Sequence, residues 1–117
     1  MTFSGIVRGG DVGAMTLEHY PGMTEAALEE IEAEARTRWD LSACLIIHRV
    51  GRLMPGENIM MVAAASRHRK AAFEAAEFLM DYLKTRAPFW KKEETAEGAR
   101  WVDARVLDDE AAARWAR

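Results

Sequence analysis

Lys84, Arg86, Lys91 and Lys92 place four cations within nine residues, with Phe89 and Trp90 among them and no acid before Glu93. The whole chain carries a net charge of −3, so this cluster runs against its own background. A local excess of one sign raises the electrostatic cost of folding and points to an anionic partner. Pro88 is expected to stop the helix that leads in, while Phe89 and Trp90 pin the turn to the core. The alternative is a basic helix C-terminus set favourably against the macrodipole, with a buried aromatic anchor.

Ser66-Arg67-His68-Arg69-Lys70 opens the same helix, with Ser66 as the expected N-cap. Helix N-termini favour acids, yet here four potentially cationic residues stand at the positive end. Free backbone N–H groups together with His68 and Arg69 make an anion site of the kind a phosphate prefers. The alternative is a solvated basic turn offset by nearby acids. His19, His48 and His68 fall on separate elements without ligand neighbours, so no metal site is expected. His19 and His48 read as satisfied strand histidines. Cys44 sits in an apolar run and reads as a structural thiol.

The elements that must position these groups follow an α+β alternation without repeats. At 117 residues, half of them hydrophobic and 30% charged, a single soluble domain is expected. Residues 2–8 read as a strand ending at Arg8, and 15–20 as a second, half-buried strand. Thr24 is the expected cap of a helix running to about Trp39, with Ala27, Leu28, Ile31 and Ala35 on its apolar stripe. Residues 43–50 and 59–65 read as a hairpin-like pair joined around Pro55-Gly56-Glu57-Asn58. A helix spans about 67–85, a strand 101–107, and Asp108-Asp109-Glu110 begin a short helix. No apolar stretch is long enough to span a bilayer, and no signal-peptide pattern opens the chain. With one cysteine, a reducing cytoplasm is the expected setting.

Phe3-Ser4-Gly5-Ile6-Val7-Arg8 followed by Leu17-Glu18-His19-Tyr20-Pro21-Gly22-Met23 resembles the opening of the molybdopterin synthase large-subunit family. His48-Arg49-Val50-Gly51-Arg52-Leu53, Pro55-Gly56-Glu57, Ser66 to Arg69, Lys84 to Glu93 and Trp101-Val102 continue the resemblance in order. It implies an α/β-hammerhead-like domain over 1–117 that converts cyclic pyranopterin monophosphate into molybdopterin by installing two dithiolene sulfurs. It also implies a sulfur donor, the C-terminal Gly-Gly thiocarboxylate of a small ubiquitin-like subunit, and a central homodimer within a heterotetramer. By the same resemblance Lys84 and Lys91 are catalytic. Ile6, Val7, Arg8, His68, Arg69, Lys92, Glu93 and Arg105 join them in binding substrate, and no cofactor is called for. The family normally carries a strand and helix before the first motif, and its glycine loop after Arg8 is longer, so both are expected departures.

The residue types agree with that chemistry. Arg and His donors lower the cost of burying a cyclic phosphate, and a lysine partly buried among cations could move protons near neutral pH. Retention of His68 and Arg69 argues against a non-catalytic adaptor for a ubiquitin-like tail. Net acidity argues against a nucleic-acid module. His68 and Lys84 lie sixteen positions apart on one helix, or roughly 24 Å. One small pterin cannot touch both ends. Either a symmetric dimer completes each pocket with the other subunit's His68 and Arg69, or the two clusters are unrelated anion sites within a monomer, or the helix is broken near its middle, where the sequence offers no Gly or Pro.

Overall fold

The chain runs β1 (Thr2–Ile6), β2 (Val12–His19), α1 (Met23–Arg38), β3 (Ala43–His48), β4 (Gly51–Leu53) and β5 (Asn58–Ala65). It continues through α2 (Arg69–Arg86), β6 (Phe89–Thr95), β7 (Gly98–Val102) and α3 (Val106–Ala113). The computed structural model describes residues 1–10, 12–102 and 106–116, with 106–108 described through their backbone alone. Two antiparallel sheets form, in the orders β1-β5-β3 and β4-β2-β6-β7. This is the expected α+β class. No described helix is long and apolar enough to cross a membrane.

The main core lies between α2 and the first sheet. β5 turns Met60, Val62 and Ala64 inward by strict alternation, and α2 answers with Phe78, Leu79, Tyr82 and Leu83. Ile31 and Ala35 of α1 close one side and Ala112 of α3 another. The alanines Ala75 and Ala76 let α2 approach Ala64 closely, forming a small satellite cluster. A separate cluster of Val7, Leu17 and Leu53 joins the first sheet's edge to the second sheet.

Several boundaries differ from the sequence reading, each for a local reason. β1 ends at Ile6, where a bulge after Gly5 breaks the register with β5. Val7 is instead held outside the ladder, its N–H donating to the Glu57 carbonyl and its carbonyl accepting from Gly56 N–H, both at 2.9 Å. α1 is entered through Gly22, at φ 86°, and Glu25 accepts from the Gly22 N–H. Thr24 is not the cap. Its buried hydroxyl accepts from Tyr20 N–H at 3.0 Å and donates to the Pro88 carbonyl at 3.2 Å. The N-cap of α2 is His68, since the Ser66 hydroxyl is spent on the Asp40 carbonyl at 2.8 Å and accepts from His68 N–H at 3.3 Å. β3 and β5 do pair, but their connection carries β4, which crosses to the second sheet and pairs with β2.

The C-terminal half departs most. The run after Pro88 is not a turn but β6, an interior strand of the second sheet. β7 ends at Val102 and α3 begins at Val106, so the strand expected over 101–107 is shorter and starts earlier. Gly98, at φ 117°, closes the β6–β7 turn, a conformation that favours glycine. Phe89 packs against the core as expected, whereas Trp90 is 47% exposed and pins nothing inside.

Candidate active site

β6 separates the basic cluster by simple alternation. Register with β2 sets Lys91 opposite Leu17 and Glu93 opposite Met15, on the face turned toward the interior. Lys92 takes the other face, where its ammonium lies 5.4 Å from the centre of the Trp101 ring. Glu93 is steadied by Arg100 of β7, its directly opposed partner, at 3.4 Å.

Lys91 and Glu93 line a cavity of about 440 Å³, and three other elements supply its remaining polar wall. Ile6 and Arg8 come from the exit of β1, Lys84 from the last turn of α2, and His48 from the end of β3. Met15, Ile59, Met60, Met80 and Leu83 provide an apolar floor. The volume suits a small ligand, and three cations against one carboxylate suit an anionic one. Lys84 stands exposed at the rim, while Lys91 is half-buried. Position is secured at Pro88: α2 ends at Arg86, the Phe89 N–H donates to the Ala87 carbonyl, and Thr24 holds the Pro88 carbonyl from α1. The step from Lys84 to Lys91 is thus a fixed one.

Of the residues singled out from sequence, Ile6, Arg8, Lys84, Lys91 and Glu93 meet here. Val7 is buried in the cluster with Leu17 and Leu53, and Lys92 lies outside this cavity. His68 and Arg69 are exposed at the opposite end of α2, which runs unbroken between the two clusters. Arg105 lies outside the described residues.

His48, by sequence a satisfied strand histidine, stands on the cavity wall. Its ring stacks on Phe89, 3.7 Å between centres and 14° from parallel. Nδ1 lies 2.7 Å from the Arg49 carbonyl. Burial, followed by the nearby Lys91 charge, pushes its pKa below the ordinary imidazole value despite that hydrogen bond. One sequence signal could have found it. Alternation along β3 puts Cys44, Ile46 and His48 on one face, so a polar group ends an otherwise apolar inward row.

A second depression, of about 340 Å³, lies among Arg38, Glu74, Arg114 and Trp115 on the helical side. Its charges serve packing. Arg114 bridges Glu77 and Asp81, Trp115 donates to Asp81 at 2.7 Å, and Arg38 donates to the Trp115 carbonyl. These bonds fasten the end of the chain to α1 and α2.

The family model described as MoaE protein matches residues 1–86. The molybdopterin synthase catalytic subunit of Yersinia pestis is 61% identical over 119 residues, covering 98% of this chain and 79% of that protein. The same-named subunit of Escherichia coli (strain K12) is 60% identical over the same shares. Among solved structures, the molybdopterin biosynthesis MoaE protein from Burkholderia ambifaria MC40-6 superimposes with a TM-score of 0.85 at 60% identity. That match covers 100% of this chain and 79% of the other. With the fold, the motifs and close relatives in agreement over nearly its full length, the chain belongs to the MoaE protein family.

Proposed function

We propose that this chain is the catalytic large subunit of a molybdopterin synthase, transferring sulfur from a thiocarboxylated small ubiquitin-like subunit to cyclic pyranopterin monophosphate. The product is the dithiolene of molybdopterin. The observation that carries this reading is the meeting of Arg8, Lys84 and Lys91 on one cavity of small-molecule size. Arg8 offers a guanidinium to the phosphate, and the two lysines donate to charge that develops on oxygen as the thiocarboxylate sulfur attacks carbon. The small subunit's Gly-Gly tail enters extended, because side chains would crowd the approach to Lys84. Two large subunits form the centre of the assembly, with one small subunit at each end. The single Cys44, in a chain without a redox pair, supports a cytoplasmic setting.

The direct test supplies the purified protein with cyclic pyranopterin monophosphate and a thiocarboxylated small subunit. Molybdopterin should form, and a partner lacking its two terminal glycines should yield none even where docking persists. Absence of product with the intact thiocarboxylate would defeat the reading.

A further inference from the structure

We infer that His48 Nε2 is the proton acceptor for the water that frees the carrier tail from the sulfur it delivers, an inference that rests on the sulfur-transfer reading above. A sulfur supplied by a thiocarboxylate is still bonded to the carrier's acyl carbon when its bond to the pterin carbon has formed. Release requires that acyl C–S bond to break. Water oxygen bonds to the acyl carbon, the C–S electron pair leaves with sulfur, and one water proton needs an acceptor. Nε2 takes it and then returns it to the departing thiolate. The tail leaves as a carboxylate, shedding its other proton to solvent.

The cavity offers few groups for that step. In the transfer step Arg8, Lys84 and Lys91 serve as donors, and a group engaged in donating has no lone pair free for the water proton. Glu93 is held by Arg100. His48 is held in place on the cavity wall. A carbonyl can only accept, so Nδ1, at 2.7 Å from the Arg49 carbonyl, carries the hydrogen, and the neutral ring keeps its lone pair on Nε2. No hydrogen bond within the described residues engages Nε2. The stack on Phe89 fixes the ring plane, and Arg49 itself turns away to Glu57 and the Asn58 carbonyl. Burial and the Lys91 charge keep the ring in its neutral, accepting form.

His48→Phe keeps a flat ring against Phe89 and removes the base. In single-turnover reactions followed by intact mass, it should accumulate a carrier–pterin acyl adduct and release product about 10²-fold more slowly. Added imidazole should speed release in His48→Ala. The wild-type rate should fall on an acid limb below pH 6.5, the ordinary imidazole value, and His48→Phe should lack that limb. Wild-type turnover in His48→Phe, or a folded variant that is slow without forming the adduct, would overturn the assignment. So would a wild-type rate that stays level through the acid range, a measurement needing no variant. A wild-type protein that makes no molybdopterin at all would instead fail the sulfur-transfer reading, and this inference with it.

Discussion

Lys91 and Lys92 are neighbours in sequence and stand on opposite faces of β6, one on the cavity and the other over Trp101. Their substitutions should therefore separate. Lys91→Ala and Lys84→Ala should each lower molybdopterin formation by about 10²- to 10⁴-fold, the range for a lost proton donor. Lys92→Ala should cost far less, and equal losses at 91 and 92 would argue against the alternation. Lys84 is exposed, so its truncation should shift stability by no more than about 0.5 kcal/mol. The cations and their clustering were legible from residue type. Their separation into two faces was not, because Lys and Glu are poor strand formers and Pro88 marks a turn by residue type. The groups that make the strand tolerable, Arg100 for Glu93 and Arg52 for Glu94, lie elsewhere in the chain. His48 gives a further prediction at this scale. Its folded pKa lies below the unfolded value, so the unfolded chain binds the proton first as pH falls. Stability should be full above pH 6.5, decline as pH drops toward the folded pKa, and level off beneath it. Melting temperatures across that window should fall more steeply for the wild type than for His48→Phe.

At the scale of elements, the site depends on where helices stop. α2 delivers Lys84 and ends at Arg86, and β6 begins at Phe89, so a two-residue link sets the spacing of the lysines. Thr24 fixes that link from outside, through its bond to the Pro88 carbonyl. Thr24→Val keeps the shape but loses that bond and the one from Tyr20 N–H. It should cost about 1–3 kcal/mol in urea denaturation, since buried partners are left unsatisfied. Turnover should fall as well, because the link can then shift. Thr24→Ser should restore most of both, and a Val variant as stable as wild type would deny the tie. Sequence spacing predicted a cap here, and the hydroxyl is in fact engaged over long range. A local pattern cannot reveal a partner 64 positions away. The same limit hid β4: three residues between two turns carry little periodic signal, and only pairing with β2 makes them a strand.

At the scale of the whole molecule, the distance between the two cationic ends of α2 decides the architecture. The helix is continuous from Arg69 to Arg86, so His68 and Lys84 stand roughly 24 Å apart by helical rise. The cavity at the Lys84 end has no contribution from His68 or Arg69. A bridging ligand within one subunit is therefore ruled out by length. In a two-fold assembly the N-terminal end of one α2 can face the C-terminal end of the other, and symmetry then makes two equivalent pockets. Each would take Arg8, Lys84 and Lys91 from one subunit and His68 and Arg69 from its mate. Arg69→Ala and Lys84→Ala should each lower turnover at least about 10²-fold alone. Mixed and allowed to exchange, they form heterodimers in which one pocket carries both lesions and the other carries neither. Recovery should approach half of wild-type activity per heterodimer, and about a quarter of the total when exchange is statistical, on the two-site symmetry. If tagged subunits prove that exchange has occurred and activity stays absent, each pocket belongs to one chain, and His68 and Arg69 serve a separate anion site.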